Sequence, residues 1–276
     1  MSIKIIADSS SDVLEINNIN VKNVPLKIVT KDKEFIDDDS LDIKEMVNYL
    51  DNYKGKSGTS CPSTGEWLES FQDYKEIICI TITGTLSGSY NSACLAKKIY
   101  EENYPDRKVF VYNTLSAGPE IMLIIENASE LISKGKTYDE VCESITKYSE
   151  KTGLLFMLES MKNLANNGRV KPLLAKMAGL FGIRVIGKAS DKGDLEEIAK
   201  CRGEKKSLEA LVKILKKEGY KGGKLRIAHV FNEEVSKKLQ DLIKNAFQNA
   251  QIAINRCRGL CSFYAENGGL LIGFEK

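Results

Sequence analysis

The chain has 276 residues, of which 42% are hydrophobic and 28% charged, enough for one large or two medium domains with a sizeable core. Its 40 Lys and Arg against 38 Asp and Glu leave a net charge of +2, which gives no electrostatic footprint for nucleic acid. The opening Met1-Ser2-Ile3-Lys4 lacks a basic and apolar leader and no run nears membrane-spanning length, so a cytoplasmic protein is expected.

Ile3–Ala7 reads as a short apolar strand, and Asp8-Ser9-Ser10-Ser11-Asp12 as a turn leading to a helix N-terminus. Val21–Thr30 is a second extended stretch, and Pro25 within it argues for an edge or irregular position. Asp42-x-x-Glu45 opens a helix whose Ile43, Met46, Val47 and Leu50 share one face. Gly58-Thr59-Ser60-Cys61-Pro62-Ser63 reads as a small-hydroxyl turn before a helix at Gly65–Phe71, with Trp67 in the core or as a pocket wall.

The stretch Ile77–Ala96 carries the strongest local signal. Ile77–Ile82 has the composition of a strand buried on both faces, Thr83–Ser89 is a hydroxyl- and glycine-rich turn, and Tyr90–Tyr100 reads as a helix. Such a turn leaves backbone N–H groups at the positive end of a helix dipole, which favours an anion. It contains no lysine, histidine or carboxylate, so it reads as a binding element; an ordinary serine-capped connection is the alternative. Lys108–Tyr112 and the turn Asn113–Pro119 repeat the pattern, and Thr137-x-x-Glu140 is a capping box with Val141, Ile145 and Tyr148 on one helical face. Alternating strands and helices predict a mostly parallel sheet with helices on both faces. The turns beyond the strand ends then gather at one edge, where the hydroxyls near Ser10, Thr59, Ser87 and Ser116 could converge.

The second half changes character. Leu154–Leu158 is an apolar run, and Arg184–Ile186, Leu195–Arg202, Leu225–Val230, Ile252–Asn255 and Leu270–Phe274 read as strands. Leu208, Leu211, Val212 and Leu215 share one helical face, as do Val235, Leu239, Leu242 and Ile243. The reading is α/β throughout, with an N-terminal domain over 1–152 and a C-terminal, mixed-sheet α/β domain over 153–276.

The catalytic inventory is thin. The sole histidine, His229, lies in a strand and reads as structural, and there is no G-x-S-x-G or H-E-x-x-H. Gly182–Ala189 approaches phosphate-loop spacing but has Ala189 after Lys188 and large aliphatics within, which suits a strand. Seven scattered cysteines fit a reducing compartment, and the close pair Cys257 and Cys261 lacks the further soft ligands of a zinc site. No metal or cofactor is therefore expected. Arg169, in a turn, and Arg202, ending a strand, offer planar forks for carboxylate or phosphate, or simply surface ion pairs.

Together, Asp8-Ser9-Ser10, Thr59-Ser60-Cys61-Pro62-Ser63, Leu86-Ser87-Gly88-Ser89-Tyr90, Asn163-Leu164 with Gly168-Arg169-Val170, Lys200-Cys201-Arg202 and Gly268-Gly269-Leu270 resemble the DegV family of bacterial lipid-binding proteins. The resemblance implies two α/β domains with a long-chain fatty acid between them, its carboxylate on hydroxyl-rich turns and its tail in an apolar tunnel. It also implies a non-catalytic acyl-binding subunit serving a separate fatty acid kinase, and it allows transient membrane contact. Carried over, Thr59 or Ser60 with Ser87 and Gly88 would hold the carboxylate, and Arg169 and Arg202 would lie near the head group or on the kinase-facing surface. Leu154, Phe156, Leu158, Leu173, Leu174, Met177, Leu180 and Phe181 would line the tunnel. Burying a tail of about sixteen carbons at roughly 0.8 kcal/mol per methylene offers on the order of 12 kcal/mol before ordering costs. The chain departs from the family at Tyr264, where a histidine is usual, at Glu266, where a glycine is usual, and at Asn113, where aspartate is frequent. Tyr264 donates a hydrogen bond but carries no charge near neutral pH. A lipid carrier without a kinase, and a small-molecule acyl- or phospho-transfer enzyme, are the alternative readings.

Overall fold

The computed structural model describes residues 3–13, 15–16, 19–72, 74–171 and 182–276. The first half runs β1 (Lys4–Asp8), β2 (Glu15–Ile16), β3 (Ile19–Asn20), β4 (Lys22–Val24), β5 (Lys27–Val29), β6 (Glu34–Ile36), α1 (Ile43–Asn52), β7 (Gly58–Ser60), α2 (Thr64–Phe71), β8 (Glu76–Thr81), α3 (Ser89–Asn103), β9 (Lys108–Asn113), α4 (Pro119–Ser133) and α5 (Tyr138–Ser149). The second half runs β10 (Thr152–Leu158), α6 (Lys162–Asn166), β11 (Ile183–Ala189), β12 (Leu195–Arg202), α7 (Glu204–Lys217), β13 (Gly223–His229), α8 (Glu233–Ala246), β14 (Ala250–Arg256), α9 (Gly259–Ala265) and β15 (Leu270–Glu275). No helix among the described residues is long and apolar enough to cross a membrane.

β4, β1, β8 and β9 form a four-stranded sheet in that order, every neighbouring pair parallel. Period-2 alternation buries both faces. Ile5, Ala7, Ile78 and Ile80 pack under α4 and α5, whereas Ile6, Ile77 and Cys79 meet α2 and α3. Trp67 is fully buried in the second of these layers, which makes it core rather than a pocket wall. The predicted 21–30 strand is broken. β4 is the edge of the parallel sheet, Pro25 ends it, and β5 pairs instead with β6 and β7 in a separate antiparallel sheet. Thr59 and Ser60, read as a turn, thereby lie on a strand. The Asp8–Asp12 cluster leads to no α-helix. Ser9–Ser11 make one 3₁₀ turn, which Asp12 ends in the left-handed region.

The six-stranded sheet is mixed, in the order β12-β11-β10-β15-β13-β14, with only β13 and β14 parallel. α7 and α8 cover one face through Leu208, Leu211, Leu215, Leu239 and Ile243. Leu154, Phe156, Leu158 and Leu271 point to the other face, toward the first half of the chain. α4 lies between the sheets and is buried almost all round, with Ile121, Ile124 and Ile125 against the parallel sheet. From the mixed sheet, Arg226 makes a two-pronged ion pair to Glu126, at 2.7 and 2.6 Å, and Lys224 pairs with Glu130.

Capping fixes where helices start. Ser63 with Glu66, and Thr137 with Glu140, form reciprocal capping boxes. Thr137→Ala should cost about 1 kcal/mol in urea denaturation, because the Glu140 N–H loses its acceptor at an exposed helix start.

Candidate functional site

Between the two sheets lies a cavity of about 320 Å³, within the range of small-molecule sites. Its wall is mostly apolar, contributed by Leu26, Ile82 and Ala117 from the first half and by Leu154, Phe156, Leu158, Leu195 and Leu271 from the mixed sheet. The predicted site residues Thr59, Ser60, Ser87, Gly88, Arg169 and Tyr264 all line it. So do Leu154, Phe156 and Leu158 of the predicted tunnel; Leu173, Leu174, Met177, Leu180 and Phe181 lie outside the described residues.

Arg202 does not line the cavity. It is exposed at the end of the edge strand β12, seven residues or roughly 23 Å along from the lining residue Leu195.

Three of the polar lining residues, Thr59, Tyr264 and Arg169, lie against one another. Thr59 Oγ1 and Tyr264 OH are hydrogen-bonded at 2.7 Å, and the Arg169 guanidinium lies 5.6 Å from the Tyr264 ring centroid. Arg169 is held by the Leu86 carbonyl, to which Nε donates at 3.3 Å, and by the Asn167 carbonyl, to which Nη1 donates at 2.5 Å. Burial pushes the Tyr264 phenol above its ordinary value near 10, with Thr59 and the Arg169 charge opposing the shift. Tyr264 is therefore a neutral hydrogen-bonding group at physiological pH. Gly88 leaves room for Cys61: a β-carbon there would sit 3.0 Å from Sγ. A shallower polar depression of about 350 Å³ shares Leu86, Ser87, Gly88 and Arg169 with the cavity and adds Gly84, Thr85, Asn91, Asn167 and Gly168.

The four hydroxyl clusters do not all converge on this site. Asp8 is fully buried and accepts hydrogen bonds from Ser10 Oγ at 2.5 Å, Ser89 Oγ at 2.6 Å and Ile82 N at 3.0 Å. Ser116 Oγ donates to buried Glu120, which also accepts from Thr152 Oγ1 at 2.7 Å. Ser10, Ser89 and Ser116 thus satisfy internal carboxylates, and of the four clusters only those of Thr59 and Ser87 bring hydroxyls to the cavity. The amides of the Thr83–Ser89 turn are also partly taken. The Thr83 carbonyl accepts from Leu86 and Ser87, and Ser87 Oγ accepts from Ser89 N. The turn is less open to an anion than its sequence suggests, and Arg169 supplies the charge that it lacks.

Other expectations resolve locally. His229 is 5% exposed and its Nδ1 accepts from Asn232 N at 3.1 Å; burial, then Arg256, lowers its pKa, and it does not line the cavity. Gly182–Ala189 runs into β11, as its aliphatics require. Asn113 ties two turns together by accepting from Gly84 N at 3.0 Å and Leu115 N at 3.3 Å. The β11–β12 hairpin reaches across to the same turns, where Thr85 Oγ1 donates to the Gly193 carbonyl at 2.7 Å. Gly193, at φ +83°, is so close that a β-carbon would meet Thr83 Oγ1 at 2.1 Å. Leu195 enters the cavity wall two residues later, a placement that alternation alone did not signal.

A family model described as "Uncharacterised protein, DegV family" matches residues 2–276. A DegV domain-containing protein of Streptococcus pneumoniae is 46% identical over 279 residues, covering 100% of this chain and 99% of the relative. The crystal structure of the S. pneumoniae Fatty Acid Kinase (Fak) B3 protein loaded with linoleic acid is similar with a TM-score of 0.97 at 46% identity, covering 100% of this chain and 99% of that one. A DegV family protein from Eubacterium eligens loaded with heptadecanoic acid gives a TM-score of 0.97 at 44% identity, with 100% of both chains covered. With matches of this extent, the chain belongs to the DegV family.

Proposed function

We propose that this chain binds one long-chain fatty acid, with the tail between the sheets and the carboxylate among Thr59, Ser60, Ser87, Gly88, Arg169 and Tyr264. The observation that carries this reading is an apolar cavity whose wall also holds Ser60 and Ser87 and the hydrogen-bonded pair Thr59 and Tyr264, with the Arg169 guanidinium over the Tyr264 ring. A carboxylate is the head group that fits: Arg169 offers a positive charge and the hydroxyls offer donors. The tail supplies most of the affinity, since each buried methylene contributes roughly 0.8 kcal/mol.

The acid is presented to a separate fatty acid kinase. The polar depression that shares Ser87, Gly88 and Arg169 with the cavity supports this, because it gives a second protein access to the head-group residues. A kinase-independent lipid carrier is the second reading, favoured by Tyr264, which offers no titrating base where the family commonly has histidine.

Native mass spectrometry followed by solvent extraction tests the binding step. Protein purified from cells should carry an acyl chain; an empty protein that also refuses added palmitic acid would falsify the reading. Arg169→Ala should weaken fatty acid binding by about 10- to 100-fold, the range for a charge-assisted hydrogen bond. Incubating the loaded protein with a fatty acid kinase catalytic subunit and ATP separates the two roles, since acyl phosphate forms only under the first.

A further inference from the structure

Glu266 follows α9 with φ +55°, a backbone conformation that glycine adopts freely and a β-carbon disfavours. Its half-buried carboxylate makes two directed contacts. Oε1 accepts from the Asn163 amide at 2.9 Å, and Oε2 accepts from Ser160 Oγ at 2.8 Å. Both donors lie at the start of α6, so the side chain fastens that short helix to the end of α9. Asn163 Nδ2 adds a bond to the Phe263 carbonyl at 2.8 Å, one residue before Tyr264.

α6 in turn sets the head-group residues. Its Leu164 lines the cavity, and the Leu164 carbonyl accepts from the Arg169 amide at 2.8 Å. Asn167 Nδ2 donates to the Asn163 carbonyl at 2.9 Å, and the Asn167 carbonyl accepts from Arg169 Nη1 at 2.5 Å. A continuous path of hydrogen bonds therefore runs from Glu266 through Asn163 and Asn167 to the guanidinium. We propose that Glu266 is a positioning residue, which holds α6 so that Arg169 and Tyr264 stand at the spacing that receives a carboxylate. The proposal rests on the fatty-acid reading above. It explains why an unfavourable backbone conformation is kept at a residue that touches no ligand-facing surface: glycine would relax the backbone and release the helix.

The test compares two ligands with the same tail. Palmitic acid and 1-hexadecanol are each used to displace a bound fluorescent fatty acid from the wild type, Glu266→Gly, Glu266→Gln and Ser160→Ala, with melting temperatures recorded. The wild type should prefer the acid. Glu266→Gly should lose about tenfold in acid affinity, the scale of one charge-assisted hydrogen bond, with hexadecanol binding unchanged. Glu266→Gln should restore the acid preference, because the amide oxygen still accepts from Asn163 while its NH₂ donates to Ser160 Oγ. Should the glycine variant fail to fold, Ser160→Ala removes one of the two bonds and supplies the same comparison. Equal weakening of acid and alcohol would mark Glu266 as merely structural, and an unchanged acid preference would exclude any role in the head site; either result overturns the proposal. A wild type that binds neither ligand is a separate result, which defeats the fatty-acid reading and this proposal with it.

Discussion

Replacing Asp8 by alanine is expected to destabilise the protein by about 3–5 kcal/mol, a large share of the 5–15 kcal/mol that holds a typical domain folded. The carboxylate is fully buried at the end of β1 and accepts from two serine hydroxyls and the Ile82 amide. Removing it leaves three donors in a dry environment, each costing about 1–3 kcal/mol if unsatisfied. The hydroxyls can rotate toward other acceptors, but the amide cannot, so the loss does not vanish on relaxation. Burial raises the Asp8 pKa despite these bonds, and relief of that desolvation offsets part of the cost. The donors win because alanine satisfies none of them. Asp8→Asn, which keeps an acceptor without the charge, should fall between alanine and wild type. Urea denaturation followed by Trp67 emission measures both, and a loss below about 1 kcal/mol in the alanine variant would contradict the argument. Fatty acid binding should fall too, because Ile82 and Ser89 flank the turn that presents Ser87 and Gly88.

The second large effect is on pH. Burial, with the nearby Asp37 charge adding to it, lifts the Asp12 carboxyl from 3.8 to about 7, against the opposing hydrogen bond from the Arg258 amide. Asp12 is buried beside the Cys257 and Cys261 thiols, which offer its carboxyl group only weak donors. The folded protein therefore keeps a proton that the unfolded chain releases. Stability from this group is full below about pH 4 and is lost as the pH rises to about 7. A shift from 3.8 to about 7 corresponds to at most roughly 4 kcal/mol across that window. Asp8, Asp37, Glu120 and Glu266 are shifted the same way by burial. His229 works in the opposite direction, since burial and Arg256 hold it below 6.5, so its contribution is lost as the pH falls from 6.5 through its lowered value. Asp12→Asn separates the terms. Relative to wild type the variant should gain stability at pH 8 and show no gain at pH 4, as read by melting temperature. A difference between the two proteins that does not change with pH would exclude Asp12 as the titrating group.

Much of the fold was legible because both sheets follow simple periodicity. Ile77–Ile82 is apolar on both faces and is buried on both faces, and the caps at Asp42 and Thr137 mark helix starts by local hydrogen-bond chemistry. Pro25 announced an irregular strand, although not that the strand would divide between two sheets. The site was partly legible. Thr59 and Ser87 stand out by residue type and line the cavity, as does Arg169, whose place near the head group only the family resemblance implied; Ser10 and Ser116 read the same way as the two hydroxyls but turn inward to Asp8 and Glu120. A hydroxyl looks the same in sequence whether it serves a ligand or a buried carboxylate. The available signal was the acid itself, lying two residues before Ser10 and four after Ser116. Leu195, Leu260 and Leu271 were missed as lining because they meet only through the packing of distant elements.

The placement of α4 bears on how the molecule comes apart. One helix supplies core to the parallel sheet through Ile121, Ile124 and Ile125, and is clamped to the mixed sheet by Glu126 and Glu130. Glu120 at its start joins Ser116 to Thr152, the residue that opens the second sheet. Neither sheet can shed α4 without exposing an apolar surface, so the two halves are expected to unfold in one transition. Emission from Trp67, beneath the parallel sheet, and amide exchange in β13, within the mixed sheet, should therefore report the same midpoint in urea. The ligand's chamber is then walled by parts that melt together, and an occupant would raise that common midpoint in proportion to the logarithm of its concentration.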